Sequence, residues 1–159
     1  MDAAQRGTEA SLRTDPDFFR LLSTSYSRLL DKPLVPQHVP IEDAPRWLYE
    51  SAPFGLLAHN TDADPVFVYG NLMAQKLFEY AWDELTTLPS RLSAEATDRD
   101  ERQAFLEQVE RDGFVAAYRG MRVTKSGKRF WIDNVVVWQL RNDAGAHCGQ
   151  AALIPSTSG

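Results

Sequence analysis

The chain has 159 residues, 43% of them hydrophobic and 25% charged, enough to bury one core and too few for two ordinary domains. Seventeen lysines and arginines against 22 acids give a formal charge of −5 with no basic block, which argues against a surface that tracks nucleic-acid phosphates. A single cysteine, Cys148, rules out an internal disulfide and a cysteine-rich metal centre and points to a reducing, cytoplasmic setting. No apolar run approaches the roughly 20 residues that span a bilayer, so neither secretion nor membrane insertion is expected.

Residues 1–14 are small and polar without a hydrophobic period, and read as a flexible tail. Asp15 before Pro16 has the form of a helix cap and first-turn proline, and Phe18, Leu22, Tyr26 and Leu29 then recur at helical spacing, widened by Leu21 and Leu30. Pro33, Pro36 and Pro40 end that amphipathic helix and make an extended connector, so residues 15–45 form an N-terminal helix and Pro-rich link. A short helix follows across PRWLYESA, with Asp43 near its cap, and the main domain occupies residues 46–155.

From Phe54 the chain changes to short apolar runs: FGLLAH and VFVYGN, separated by polar NTDADP, predict a hairpin. LMAQKLFEYAWDEL predicts a helix, in two pieces around Tyr80 and Ala81, and RDERQAFLEQVERDG a second one stopped by Gly113. VAAYRGMRV, KRFWIDNVVVWQL and CGQAALI are strands, with Ser126 and Gly127 in the first tight turn and Asn142, Asp143 and Gly145 in the next. The fold class is α+β: a five-stranded antiparallel sheet with helices inserted between strands 2 and 3, able to enclose a small-molecule cavity.

DPVFVYGN, AQKLFEYAWDEL and TKSGKRFWIDNVVVWQLRNDAG together resemble the PAS superfamily, whose members act mostly as sensors or protein-interaction modules. Within it the chain is similar to the MEKHLA domain family, a PAS-like group found as short bacterial proteins and at the C-terminus of plant class III homeodomain-leucine-zipper transcription factors. LPSRLSAE, GFVAAYRGMRV, SGKRF and GQAALI carry that likeness over Trp47 to Ile154. It implies the fold and brings no defined activity with it. The flavin-binding LOV branch is a more distant likeness. Its photoactive NCRFLQG aligns with PSRLSAE here, so Ser90 stands where the cysteine would be, Arg91 keeps the arginine, and the glutamine is not in place. The FWN signature becomes Phe130, Trp131 and Ile132, and Arg122 takes the place of the asparagine on the preceding strand. Serine cannot form the cysteinyl adduct, and the missing amide contacts would cost about 1–3 kcal/mol per buried group. Flavin is therefore not expected. Haem through a lone axial His59 is set against a histidine that is merely solvated or hydrogen-bonded, and no cofactor is required.

Strict alternation along the long strand puts Phe130, Ile132, Asn134, Val136 and Trp138 on one face, which the PAS likeness turns toward the helices. Asn134 would then be a buried amide, orienting a ligand or bonding a helix backbone, and Asn134→Leu would cost about 1–3 kcal/mol. The expected ligand pocket is Leu57, Tyr69, Phe78, Trp82, Ser90, Arg91, Arg122, Ile132 and Asn134. On the opposite face Trp131, Val135 and Val137 need a cover, either the helix of residues 15–31 or a second chain. Phe18, Leu22, Tyr26 and Leu29 with those three form the expected partner face, and a homodimer is the expectation.

Catalysis finds no support: there is no G-x-S-x-G elbow and no histidine placed beside Ser90, and Gly120 to Lys128 has the wrong spacing for a phosphate loop. Adjacent His147 and Cys148 do not converge on a metal, and Asp62 and Asp64 lack the rest of a calcium loop. The sequence thus predicts a PAS-like sensory or protein-interaction domain with a pocket for a small apolar or amphipathic ligand. The alternative is an interaction module whose aromatic residues fill its own interior. With only IPSTSG after the last strand, the signal is expected to leave through a bound protein or a change in the dimer.

Overall fold

The computed structural model describes residues 12–94 and 99–158. Helix α1 (Pro16–Leu30) starts where Asp15 accepts a hydrogen bond from the Phe18 N–H at 2.8 Å, and ends at Asp31 in a left-handed conformation. After the connector and a 3₁₀ turn at Ile41–Asp43 comes α2 (Ala44–Glu50). Strands β1 (Gly55–His59) and β2 (Phe67–Gly70) form the predicted hairpin. The predicted two-piece helix is α3 (Leu72–Phe78) and α4 (Trp82–Leu85), broken by Glu79 in the left-handed region. A 3₁₀ turn at Ser90–Ser93 and helix α5 (Arg99–Asp112) lead into β3 (Phe114–Val123), β4 (Arg129–Arg141) and β5 (His147–Ile154).

The antiparallel sheet runs β2-β1-β5-β4-β3, so the expected α+β arrangement stands. A sixth strand, β6 (Ser156–Ser158), continues along β4 past Pro155, with Asp133 opposite Ser156 in the register that pairs Val136 with Leu153. Proline has no N–H to give the ladder, which explains the break between β5 and β6.

Bulges decide which side chains face which layer. Val115 pairs with Val137, Tyr118 with Val135 and Gly120 with Ile132, so β3 inserts one residue before Tyr118 and β4 inserts one after Ile132. Both insertions carry a positive φ, 59° at Ala117 and 58° at Asn134. Each bulge reverses the alternation beyond it, and together they restore the register. A third insertion, at Val68, turns Phe67 and Tyr69 to opposite faces, since Ala58 pairs with Tyr69 and His59 with Phe67.

The strict alternation expected for β4 is therefore corrected. Phe130 and Ile132 share their face with Val135 and Val137, while Val136 and Trp138 turn to the other. Asn134 is exposed at the bulge, not a buried amide.

Helix α1 covers the second face, where Leu22 and Tyr26 are buried and the Tyr26 ring meets Trp138 edge-on at 4.8 Å. Ser25, in the middle of the apolar stripe, accepts from the Arg141 N–H at 3.0 Å and lies 3.2 Å from the Arg141 carbonyl, which closes the end of β4 onto the helix. Of the expected flexible tail, residues 1–11 lie outside the described residues. Leu12 packs on this core and Arg13 lies 5.0 Å over the Trp82 ring. Among the described residues no helix is long and apolar enough to cross a membrane.

Asn71, wholly buried, ties the layers together. Its side-chain oxygen accepts from the backbone N–H groups of Leu56 (2.9 Å) and Ala74 (3.0 Å), capping α3, and its amide donates to the carbonyls of Leu48 and Phe54 at 3.0 Å each. All of its hydrogen-bonding capacity is used on backbone that would otherwise be buried without partners.

Candidate functional site: a cavity under helix α5

Between the sheet and the helices inserted after β2 lies a cavity of about 60 Å³. Its walls are mostly apolar, from Leu57, Phe67, Phe78, Ile132, Val135, Val137 and Ile154, with Phe105 of α5 closing over Tyr118 at a ring separation of 3.9 Å. The polar lining is confined to Ser90, Ser93, Tyr118, Arg122, His59 and Gln150.

Gly120 makes room for the strongest of these groups. Tyr118 and Arg122 flank it two residues away on either side, so all three point to the cavity face, and the phenol and guanidinium meet over the missing side chain at 3.3 Å. A Cβ at Gly120 would collide with both Tyr118 Oη and Arg122 Nη1. Arg122 is 8% exposed and also donates to the Met121 carbonyl at 2.8 Å. Among the described residues no carboxylate pairs with it: the ion pairs are those of Arg20 and Arg28 with Asp143, Arg91 with Asp64, Arg111 with Asp112, Arg119 with Asp133 and Lys125 with Glu84.

The structure brings Leu57, Phe78, Ser90, Arg122 and Ile132 of the expected pocket set together around this cavity. It places the other four elsewhere. Tyr69 and Trp82 lie in the opposite core with Tyr49, at ring separations of 5.7–6.3 Å, because the Val68 bulge turns Tyr69 away. Burial there pushes the Tyr69 phenol well above its ordinary ionisation range. Arg91 is exposed and its Nε donates to both Asp64 carboxylate oxygens (3.0 and 3.2 Å), tying the 3₁₀ turn to the β1–β2 loop. Asn134 is the exposed bulge residue already described.

The expected partner face divides as well. Leu22 and Tyr26 of α1 are buried against the sheet, Phe18 meets Tyr69 at 5.5 Å, and Leu29 packs against the same core. Val135 and Val137 line the cavity instead, and the Arg119 guanidinium covers the half-buried Trp131 at 3.8 Å from the ring centre. Helix α1 packs over Val136 and Trp138 instead of the three residues expected beneath it.

Tyr118, Ser93 and Phe105 were not in the expected set. The signal for Tyr118 is visible in Y-R-G-M-R, where a glycine midway between two large polar residues of one strand leaves them a common space. His59 Nδ1 lies 2.9 Å from the Asn60 carbonyl oxygen. Among the described residues no three of His, Cys, Asp and Glu gather where they could hold a metal ion.

The model of the MEKHLA domain matches residues 16–158, from the start of α1 through β6. The chain belongs to the MEKHLA family. Its match takes in α1 as well as the sheet, in keeping with the way that helix completes the core. Solved structures share the PAS fold. A PAS domain from Colwellia psychrerythraea is similar at 12% identity and a TM-score of 0.62, covering 72% of this chain and 94% of that one. A PAS domain from a two-component sensor histidine kinase gives 12% and 0.57, covering 70% and 92%. An RNA-binding light-oxygen-voltage receptor gives 22% and 0.61, and there the match spans 77% of this chain but 34% of the receptor. No curated protein matches. At these identities the likeness extends to the fold.

Proposed function

We propose that this MEKHLA domain is a sensory module that holds a small ligand in the cavity under α5 and passes the bound state to a protein partner, without chemistry of its own. The observation that carries this reading is the convergence of buried Ser90, Ser93 and Arg122 with Tyr118 on a space whose walls are mostly apolar. A few polar groups set in an apolar wall are what orient a small molecule. Helix α5 is the natural transmitter, because its Phe105 stacks on Tyr118 of β3 at the cavity and its Val109 is buried in the same core. Native mass spectrometry and an absorbance spectrum of freshly purified protein test it: a reproducible added mass that disappears in Ile132→Trp is the expected result, and a clean apo mass in both proteins overturns it.

The cavity's size favours a second reading. Pockets for drug-sized ligands run to about 300–1,000 Å³, against about 60 Å³ here, so a pure interaction module with a filled core accounts for the same walls. Under that reading Ile132→Trp strains the core and no small molecule alters its melting. Homodimerisation was expected from Trp131, Val135 and Val137 on one uncovered face, whereas Val135 and Val137 line the cavity and Arg119 lies over Trp131. Light scattering at micromolar concentration decides it, a dimer mass reinstating the partner face and a monomer mass removing it.

A further inference from the structure

A guanidinium buried among apolar side chains has lost most of its hydration, and buried charges are ordinarily paired. Among the described residues Arg122 has no such pair. It reaches one backbone carbonyl and one phenol, both neutral, and a guanidinium carries more N–H donors than those two bonds use. Among the described residues, none that lines the cavity is acidic. The arrangement is also built, since Gly120 leaves the space in which Tyr118 and Arg122 meet and a Cβ there would make both side chains shift.

We propose that Arg122 is the counter-cation for the carboxylate of a small organic acid whose short apolar body occupies the α5 cavity. This rests on the ligand-binding reading above and names its ligand class. A planar carboxylate fits the guanidinium fork in two parallel bonds, and Tyr118, fixed by Phe105 on one side and Arg122 on the other, holds the fork in place. The volume sets the scale of the apolar part: an engineered apolar cavity of about 150 Å³ takes benzene, so about 60 Å³ suits an acid of a few carbons. The apolar walls around the cation favour a carboxylate with an alkyl body over inorganic phosphate, whose several oxygens would be left without donors.

The test is a titration of the full ¹⁵N-labelled chain with propionate, propionamide and inorganic phosphate at constant ionic strength, following the Gly120 amide and the Arg122 Nε–H. Propionate is expected to move both signals saturably, propionamide at least tenfold more weakly, and phosphate without reaching the cavity. Arg122→Gln should remove the preference for acid over amide. Should that variant not fold, Gly120→Ala, which displaces the guanidinium while keeping it, should weaken propionate severalfold. Equal binding of acid and amide overturns the inference and leaves the sensory reading standing, as does a neutral molecule extracted from the purified protein. Phosphate binding as well as propionate overturns the alkyl acid in favour of a simple anion site. No response to any probe, with a clean apo mass, overturns both.

Discussion

On the face of the sheet under α1, Tyr26 meets Trp138 and Tyr69 meets Trp82 edge to face at 4.8 and 5.8 Å, and aromatic rings make the core. On the face under α5, glycine stands where a side chain would fill, a buried cation has no counter-ion among the described residues, and a cavity remains. One sheet thus carries two cores made to different rules. The first packs ring against ring and leaves the Tyr69 hydroxyl, the Trp138 N–H and the Arg13 Nε buried without partners. The second holds polar groups in place at the expense of packing. Proteins give up stability in this way where a site must stay open for a ligand, so the faces differ in purpose as well as composition.

The largest expected effect lies between the two cores. Asn71→Leu would leave the Leu56 and Ala74 N–H groups and the Leu48 and Phe54 carbonyls buried without partners. At about 1–3 kcal/mol per buried group the loss should be at least 3 kcal/mol, read from urea unfolding. A loss below about 1 kcal/mol would mean that water reaches this junction and that the two cores are less separate than described.

Arg122→Met comes next and has the opposite sign. Replacing a buried, uncompensated charge by an apolar side chain of similar length is often neutral or stabilising by about 1–4 kcal/mol, so the ligand-free variant should gain roughly 1 kcal/mol or more in the same measurement. A clear loss would make the guanidinium a structural strut and erase the contrast with the filled face. Tyr69→Phe is its counterpart on that face: removing an unpartnered buried hydroxyl should leave stability unchanged or raise it by up to about 1 kcal/mol. Destabilisation beyond that would show that the hydroxyl has a bound water.

Local signals in the sequence reached far. Asp15 and Pro16 opened α1, the break at Glu79 to Ala81 divided α3 from α4, Gly113 closed α5, and the strands fell in the expected order. These features depend on neighbouring residues, which a sequence displays. The facing of side chains past a bulge does not. Ala117 carries no mark of its positive φ, and one inserted residue exchanges the two faces of a strand. That is why Val135 and Val137 were expected on the partner face, and Tyr69 beside Phe78. Arg122, Ser90 and Ile132 lie clear of the insertions, or were placed by the family likeness, and they came together at the cavity.

The bulge itself gives a smaller and more selective effect. Asn134 is exposed at φ 58°, so its side chain matters little and its backbone matters a good deal. Asn134→Gly should be neutral or stabilising by up to about 1 kcal/mol, and Asn134→Val should cost roughly 1–2 kcal/mol, since a β-branched residue resists the left-handed region. Equal effects of the two would mean that the bulge is not held in that conformation, and the assignment of Val135 and Val137 to the cavity face would lose its basis.

The smallest effect concerns how the cavity face is anchored at the β3–β4 turn. Glu79 accepts from the Ser126 hydroxyl at 2.6 Å and from its backbone N–H at 3.3 Å, and Glu84 accepts from the Ala81 N–H at 2.9 Å and pairs with Lys125. The Ser126 hydroxyl chiefly holds the Glu79 carboxyl below its ordinary value of 4.5, and the Ala81 N–H chiefly does the same for Glu84. A carboxylate bound more weakly by protons when folded contributes stability that is complete above the unfolded value and is lost as pH falls through the lower, folded one. The melting temperature of the native chain should therefore exceed that of Glu79→Gln at pH 7, with the gap closing as the pH drops below 4.5. Both groups are at the surface, so high salt should narrow the Glu84–Lys125 part of the gain and leave the Ser126 bonds in place. At the α1 edge, Ser25 makes neutral hydrogen bonds to Arg141, and Arg20 and Arg28 pair with the exposed Asp143 of the β4–β5 turn. A gap that persisted unchanged to pH 3 would show that the turn is held by packing alone, and that acid should loosen the two faces equally.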